Sequence, residues 1–456
     1  MSAGAPLRSA GGCLRELGPL LRVAAPLIVS QLSQVAMGFT DTVMAGRLGA
    51  TELAAIGIGA SLWLPVYIGC LGLLMPVSPF TARLWGARRL QGIGALFRQG
   101  LWLAAGLALF AVPLTRLAGG VPGWLGLDPA LGPPVAEYLD AVAWGMPGAC
   151  LYLAGRFVVE GRGDTRPIML VQLFGLALNV VLDWCLMFGR LGAPALGVAG
   201  AGWATATVFW IDAALILWYL ARAPELGPAR LYATLEPPVA AELGRILRLG
   251  VPIAVAALLE LGLFLAVALL MGRIGRLAAA AHQVALNYAA LMFMIPLGLS
   301  LAITVRVGQA MGRGDAEGAR RIAVAGMGLS VILASLSAAV MLLVPGPIVR
   351  LYTGDEAVAN LAVKLLGVAA AFQLADGLQV CAVGALRGLH DTAWPMALTF
   401  TAYWLLGFPL AVMLGFAGGL GPVGLWWGLV AGLSLAAVLL IGRFRILVRR
   451  ELARAA

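Results

Sequence analysis

The sequence predicts an all-α membrane protein, and its composition carries the prediction. Charged residues make up only 11% of the 456 residues and hydrophobic residues make up 61%, whereas a soluble protein carries roughly 25% charged residues. The mean hydropathy of +0.95 describes the whole chain and does not come from a single anchor segment. The bilayer is therefore the solvent for most of this protein.

Apolar stretches of about 20 residues, long enough for a hydrocarbon core of roughly 30 Å, lie between breaks that contain Gly, Pro or Arg. Each stretch is predicted to form one helix, because a membrane-spanning segment must satisfy its backbone hydrogen bonds internally. The predicted spans number twelve and lie near residues 18–45, 53–77, 93–117, 135–157, 167–189, 196–221, 244–271, 278–303, 321–344, 356–386, 394–417 and 422–442.

The second half of the chain repeats the first. The segment Glu16–Pro26 (ELGPLLRVAAP) matches Glu242–Pro252 (ELGRILRLGVP). The offset of the repeat is the distance along the sequence from Pro26 to Pro252. Shared hydrophobicity does not explain the match, because the identical letters include Glu, Arg, Gly and Pro. We therefore predict two six-helix lobes, residues 1–225 and 226–456. Six is an even number, so both lobes enter the membrane in the same orientation, related by a pseudo-two-fold axis along the membrane normal.

The net charge of +10 indicates membrane topology and does not indicate nucleic-acid binding. All of the 31 basic residues except Lys364 are Arg, and no basic face with interleaved aromatic residues is present. Most of these arginines, Arg156 among them, are assigned to the side of the membrane that carries both termini. The positive-inside rule then predicts a multi-pass protein of the cell inner (plasma) membrane with both termini in the cytoplasm.

Acidic residues inside the predicted spans are functional candidates, since a charge at that depth costs ~3 kcal/mol or more. Asp41 lies in span one, and Asp183 lies in span five with Asn179 one turn before it on the same face. These three side chains are expected to converge, either as an ion site or as a structural hydrogen-bonded cluster. Glu260 and Asp376 lie near the middles of spans seven and ten. Desolvation of such unpaired carboxylates favours the binding of a proton or a cation.

Further polar or aromatic side chains near these acids are candidates for supporting the site or contacting substrate. Gln34 is the repeat partner of Glu260. Gln283 and Asn287 lie on one face of span eight, and Phe372 and Gln379 are each one turn from Asp376.

Three other acidic residues receive structural interpretations. Asp212, in span six, is expected to be a local cap or hydrogen-bond partner. Asp164 and Asp391 are related by the repeat and are expected to cap the helices that follow them.

Soluble catalysis has no support in the sequence. It contains no phosphate-binding GxxxxGK[ST] loop and no nucleophile elbow, and only two histidines are present. We therefore expect a transporter without enzymatic activity or a cofactor, which either draws energy from an ion gradient or works passively. Secondary transport is the more economical inference.

Four segments together resemble the multidrug and toxic compound extrusion (MATE) family. They are MGFTDTVMAGRLGATELAAIGIGASLWLPV, PFTARLWGARR, AAAHQVALNYAALMFMIPLGLSLAITVRVGQAMG and ALRGLHDTAWP. The resemblance runs over nearly the whole chain and implies a V-shaped two-lobe exporter that expels cationic or amphipathic drugs in exchange for Na⁺ or H⁺. Within the family it is similar to the bacterial norfloxacin-exporter branch. The family pattern places that branch's carboxylates at Glu260 and Asp376, and the N-lobe proton site at Asp41, Asn179 and Asp183.

The sequence departs from the family pattern at Phe372, where this branch commonly has a Tyr that contributes to the cation site. Na⁺ needs several oxygen ligands to replace its water, so the loss of a hydroxyl weakens a Na⁺ site at Glu260 and Asp376. Gln283, Asn287 or water are alternative ligands. We expect H⁺ coupling at least as readily as Na⁺ coupling.

Two alternative functions remain at this point. A lipid-linked oligosaccharide flippase of the same superfamily needs cationic side chains to meet a pyrophosphate headgroup, and here the intramembrane charges are mostly acidic. A channel needs repeated rings of polar residues along a pore. The expected partners are small cationic or amphipathic drugs and the lipid bilayer, with no nucleic acid, and the protein is expected to act as a monomer.

Overall fold

The computed structural model describes residues 5–234 and 236–455, and within these ranges the chain is helical and contains no β-strand. The helices are α1 (Ala5–Leu48), α2 (Ala50–Leu74), α3 (Val77–Gly86), α4 (Leu90–Leu117), α5 (Val121–Trp124), α6 (Gly132–Arg162), α7 (Arg166–Phe188), α8 (Val198–Arg222), α9 (Ala240–Ile274), α10 (Arg276–Gly312), α11 (Ala316–Leu343), α12 (Pro345–Arg350), α13 (Glu356–Gly388), α14 (Ala393–Phe400), α15 (Phe408–Val412) and α16 (Gly421–Ala455). Short 3₁₀ segments cover Ala118–Gly120, Pro129–Leu131 and Pro224–Ala229.

The predicted number of spans is confirmed, since twelve helical stretches of the described residues are long and apolar enough to cross a membrane. Several helices extend beyond the predicted apolar limits. The last predicted span ends near 442, whereas α16 continues to Ala455. The difference arises because hydropathy marks the hydrocarbon core, while backbone hydrogen bonding continues into the polar interface.

Span eleven is not a regular α-helix. Between Ala393 and Ala417, α14 and α15 alternate with two π-helical segments, Thr401–Gly407 and Met413–Ala417. Pro409 lies inside this span and has no N–H for an intrahelical hydrogen bond, which favours a local widening of the helix. The wider turns change the phase of the helix and place Tyr403 in the buried interior.

The internal repeat is visible in the helix boundaries. Helix α1 ends at Leu48 and α9 ends at Ile274, and helices α4 and α11 begin at Leu90 and Ala316. Both pairs keep the offset that the sequence repeat sets. The turn that follows α9 contains Gly275 with φ of 150°, a conformation that favours glycine.

The chain divides into two compact units. The N-unit is Val29–Ala254, and the C-unit combines the chain up to Ile28 with Val255–Ala456. The units differ from the predicted lobes, 1–225 and 226–456, because the first part of α1 belongs to the C-unit and the first part of α9 belongs to the N-unit.

Close helix packing at glycines accounts for this exchange. A Cβ atom at Gly72 of α2 would lie 2.5 Å from Ala254 Cα, so α2 and the first part of α9 are in backbone contact. A Cβ atom at Gly298 of α10 would likewise lie 2.8 Å from Ile28 N. Gly298 is the repeat partner of Gly72, as Ala254 is of Ile28. The repeat therefore includes the exchanged contacts, which a boundary drawn at the central loop does not capture.

Small residues and interhelical hydrogen bonds hold the helices that carry the candidate site. In the N-unit, a Cβ atom at Gly148 of α6 would lie 2.9 Å from Trp210 N of α8. In the C-unit, Ser300 Oγ of α10 donates to the Val380 carbonyl of α13 at 2.6 Å. Small residues allow such close approach in membrane proteins, and hydroxyl groups then bond across the interface.

Candidate functional site

The N-unit brings together the three polar side chains that the sequence singled out. Asp41 of α1 and Asn179 and Asp183 of α7 are all buried. With its amide nitrogen turned toward the acids, Asn179 donates to Asp41 Oδ1 at 3.1 Å and to Asp183 Oδ2 at 3.2 Å. The expected convergence of these residues is therefore observed.

Asp41 and Asp183 also lie within electrostatic reach of each other. Two ionised carboxylates in one buried site repel each other, which favours a proton on one of them. An apolar cluster from α1, α2, α6, α7 and α8 shields this region from water. Its buried members are Ala45, Ala55, Ile56, Val135, Tyr138, Leu139, Val142, Met187, Val198 and Ala201.

Tyr138 belongs to the same site and was missed by the sequence analysis. Its buried hydroxyl accepts a hydrogen bond from Trp63 Nε1 at 3.2 Å, and it lies within electrostatic reach of both Asp41 and Asp183. Gly59 leaves room for the ring, because a Cβ atom there would overlap Tyr138 Cδ1. An aromatic residue in an apolar span gives no charge signal, so hydropathy alone could not identify it.

The C-unit places Glu260 of α9 and Asp376 of α13 close enough for their charges to interact. Asp376 is buried, and its Oδ1 atom has no hydrogen-bond partner among the described residues. Arg387, about three turns along α13 from Asp376, attracts Glu260 electrostatically. Within the described ranges neither carboxylate forms an ion pair.

Aromatic rings line the C-unit site. The buried ring of Phe372 lies 6.1 Å from the ring of Phe264 and 5.9 Å from that of Trp426, measured between centroids. Trp426 Nε1 donates to His282 Nδ1 at 3.2 Å. His282 is therefore a neutral imidazole in this arrangement, because Nδ1 acts as the acceptor.

A second tyrosine supplies a hydroxyl to this site. Gln379 Nε2 of α13 donates to the hydroxyl of Tyr403, which lies within electrostatic reach of Glu260 and Asp376. The Gln379 Oε1 atom has no hydrogen-bond partner in the described part of the chain. Tyr403 escaped the sequence analysis because it lies in a π-helical segment, where spacing along the sequence does not report the face.

The remaining candidates are bonded elsewhere. Gln34 Nε2 donates to the Tyr67 hydroxyl at 3.0 Å in the N-unit. Gln283 Nε2 donates to Asn287 Oδ1 at 3.2 Å, and both side chains are exposed. Among the described hydrogen bonds, none joins these three residues to the four carboxylates. A role in contacting substrate stays a prediction for them.

The N-unit contains a buried arginine that the sequence analysis placed in a cytoplasmic link. Arg156 lies inside α6 and is only 3% exposed. Its Nη2 atom donates to Gln31 Oε1 at 2.9 Å, and its Nε atom lies 3.9 Å from Glu160 Oε2. The assignment of Arg156 to a link whose charge indicates topology was therefore wrong. The apolar run around Arg156 does not indicate that α6 buries both Arg156 and Glu160, which form an i, i+4 ion pair.

Asp212 is a hydrogen-bond partner, as expected. Gln172 Nε2 donates to Asp212 Oδ2 at 3.2 Å and to the Tyr152 hydroxyl at 2.8 Å.

The prediction that Asp164 and Asp391 cap helices is wrong. The residues before α7 and α14 are Thr165 and Thr392, and neither helix has a side-chain cap. Asp164 instead pairs with Arg162 at 3.0 Å, and Asp391 accepts from Arg443 Nε at 2.8 Å. The arginines instead satisfy these carboxylates with charge-assisted hydrogen bonds.

Comparison with known proteins agrees with this architecture. The family model described as MatE matches residues 26–185 and again 252–413. The chain is 44% identical over 432 residues to a protein named "Probable multidrug resistance protein NorM" from Xanthomonas campestris, with 94% of each chain covered. It is 39% identical over 429 residues to "Multidrug resistance protein MdtK" from Edwardsiella ictaluri, with 93% of this chain and 94% of the relative covered.

Solved structures show the same fold. A structure described as that of the eukaryotic MATE transporter AtDTX14 has a TM-score of 0.88 and 21% identity, and covers 98% of this chain and 100% of its own. The family model matches the two halves separately, and its two matches begin at positions related by the offset of the internal repeat. The chain therefore belongs to the MatE family, the multidrug and toxic compound extrusion proteins, in their NorM-like branch.

Proposed function

We propose that the chain is a secondary active multidrug exporter that expels cationic or amphipathic compounds by alternating access, in antiport with H⁺ or Na⁺. The names of its relatives, multidrug resistance proteins, support the substrate class. The transport reaction requires neither a cofactor nor a covalent step. We further propose that it acts as a monomer in the inner membrane with both termini in the cytoplasm.

The observation that carries this proposal is the buried Asp376 beside Glu260. A carboxylate in low dielectric is strongly destabilised unless a proton or a cation neutralises it. Asp376 Oδ1 lacks a hydrogen-bond partner in the described structure, so the site can accept either species. A site that must be neutralised, and that can be neutralised in two ways, has the property that exchange transport needs.

Competition for these carboxylates couples the two fluxes. Ionised Glu260 and Asp376 attract a lipophilic cation, and the partly exposed ring of Phe264, one turn from Glu260, offers aromatic surface to it. When an incoming ion neutralises the carboxylates, the attraction for the drug falls and the drug is released. Because one site cannot hold both positive charges at low cost, binding of the ion and of the drug oppose each other.

The N-unit favours a proton as the coupling ion. Two buried carboxylates within electrostatic reach repel each other when both are ionised, which favours a proton on one of them, and the apolar cluster of the N-unit resists the entry of a hydrated ion. The C-unit is also compatible with Na⁺ as the coupling ion. Asp376 Oδ1 and Gln379 Oε1 are buried oxygen atoms without a hydrogen-bond partner among the described residues, and hard cations bind oxygen ligands.

The flippase alternative has weaker support. Recognition of a pyrophosphate headgroup calls for available cationic side chains. The buried Arg156 of the N-unit is instead held by Gln31 and lies near Glu160, so its charge is already balanced.

Reconstituted vesicles that impose one gradient at a time test the proposal. An outwardly directed drug flux driven by a pH gradient in Na⁺-free buffer is the result expected for H⁺ antiport. Export that runs on a Na⁺ gradient at fixed pH, and does not respond to a pH gradient, would assign the coupling to Na⁺. Absence of export under both gradients would contradict secondary transport altogether.

A further inference from the structure

The C-unit contains a cavity that the transport mechanism does not use. It has a volume of about 700 Å³ and lies between α11, α13 and α16. Its lining is apolar except for a rim of three arginines, Arg320, Arg445 and Arg449. The residues that line it are Arg320, Val324, Met327, Gly328, Val331, Leu378, Ile441, Phe444, Arg445, Val448, Arg449 and Leu452.

The rim carries positive charge that the protein leaves partly uncompensated. Arg320, near the start of α11, pairs with Glu317 at 2.6 Å. Arg445 and Arg449 are one turn apart on α16 and exposed, and neither has an ion pair within the described residues. Like charges at i, i+4 repel each other on a helix. The arrangement is favourable when an anion lies between the two guanidinium groups.

The cavity opens onto a surface that faces hydrocarbon. Val324 is one turn beyond Arg320 and is 48% exposed, and Ile332 further along α11 is 65% exposed. On α16, Val438 is 68% exposed and Ile446 is 50% exposed. Large apolar side chains exposed on spanning helices contact lipid tails, so the apolar walls join the acyl region while the arginines lie at the polar interface.

We propose that this cavity binds an anionic phospholipid, with the headgroup phosphate between Arg445, Arg449 and Arg320 and an acyl chain along the apolar walls. Arg matches phosphate geometry with paired N–H donors, and basic pockets between spanning helices suit anionic lipid headgroups. The cationic rim disfavours the cationic drugs of the transport site. The volume lies within the range of roughly 300–1,000 Å³ that is typical of ligand pockets.

Lipid binding to the purified full-length protein tests the proposal. Native mass spectrometry with phosphatidylglycerol or phosphatidylcholine as the probe measures the two affinities separately. Wild-type protein is expected to prefer phosphatidylglycerol by about tenfold or more, and the variant R445Q/R449Q to lose that preference. The matched control R88Q/R89Q removes two exposed arginines from the α3–α4 link of the N-unit and is expected to keep it.

A second variant leaves every charge in place. Gly328 lines the cavity, and a Cβ atom there would meet nothing within 4 Å, so Gly328→Leu adds a bulky apolar side chain to the cavity wall with no clash at its Cβ atom. It is expected to weaken phosphatidylglycerol binding as R445Q/R449Q does, which covers the case in which the double variant fails to fold.

Three results would overturn the proposal. They are equal binding of the two lipids by wild-type protein, phosphatidylglycerol binding unchanged in Gly328→Leu, or displacement of the lipid by millimolar inorganic phosphate. The last result would assign the rim to free phosphate and not to a lipid.

Discussion

Individual residues show how the two halves of the repeat have diverged. Gln34 occupies the position that Glu260 holds in the second half, and Gln34 donates to Tyr67 while Glu260 lies within electrostatic reach of Asp376. In the N-unit the acidic pair is instead Asp41 and Asp183, bridged by Asn179. The same fold therefore carries two carboxylate pairs built from different positions, which allows the two halves to do different work.

The C-unit pair is expected to be required for coupling. We expect Glu260→Gln and Asp376→Asn each to abolish gradient-driven drug efflux, because the amide cannot be charged and so cannot alternate between ion and drug. Efflux from cells and protein yield in the membrane measure the two effects separately. The control Glu356→Gln removes an exposed acid from α13, the helix of Asp376, and should leave efflux unchanged. Wild-type efflux from either site variant would contradict the assignment.

The N-unit pair gives a second residue-level prediction. Asp41→Asn keeps a hydrogen-bonding side chain next to Asn179 but removes one of the two acids that can take up a proton. Proton flux evoked by drug should be lost while the protein remains folded. The control is Asp140→Asn in α6, which removes an acid whose side chain is 64% exposed. If Asp41→Asn retained full drug-evoked proton flux, the N-unit would be a structural cluster.

At the level of helices, α6 carries a buried charge that contacts two elements of the N-unit. Arg156 of α6 faces Gln31 of α1 and Glu160 of its own helix, and Ser78 Oγ of α3 donates to Glu160 at 2.8 Å. Three helices of the N-unit are thereby joined through one guanidinium and one carboxylate. Breaking a buried ion pair by removal of one partner is much more costly than removal of both.

We therefore expect Arg156→Leu to destabilise the protein by about 3–5 kcal/mol, because it removes the cation of a buried ion pair and leaves the acid, Glu160, in place. Thermal unfolding of detergent-purified protein measures the effect. Arg116→Leu is the matched control, because Arg116 lies 3.6 Å from Asp140 with both side chains exposed, and such surface pairs contribute only about 0–1 kcal/mol. Equal unfolding temperatures for the two variants would show that the buried pair does not stabilise the N-unit.

The helices also show which parts of the structure could be predicted. The twelve spans follow from apolar runs, and the acids stand out in them because charge is rare at that depth. Tyr403 does not stand out, since π-helical turns alter the face on which it lies. The partners of Tyr138 and Arg156 are set by tertiary packing. The residues near these two in the sequence therefore do not predict which groups they contact. The exchange of α1 and α9 segments between units depends on long-range contacts at Gly72 and Gly298 in the same way.

For the whole molecule, the distribution of arginines predicts orientation. Moving Arg156 from the links to the interior of α6 removes one charge from the inner side, and the excess on that side remains. Ala130 lies in the link between α4 and α6, which is predicted to be outside, and Ala233 lies in the α8–α9 link, which is predicted to be cytoplasmic; both are exposed.

A membrane-impermeant maleimide added to intact cells tests this orientation. Ala130→Cys should be labelled and Ala233→Cys should not, in a background in which Cys13, the one cysteine of the described side chains that is not buried, is replaced by Ser. Permeabilised cells provide the control, in which both positions should react. Labelling of Ala233→Cys in intact cells would reverse the predicted topology.

In the proposed mechanism, buried carboxylates exchange a drug cation for a coupling ion. Proteoliposomes that contain a pH-sensitive dye, with a lipophilic cation added as substrate, measure this exchange. We expect addition of drug to evoke proton movement in the opposite direction for wild-type protein, and no proton movement for Asp376→Asn. Drug transport without any counterflow of protons or Na⁺, or a full response from Asp376→Asn, would contradict the account.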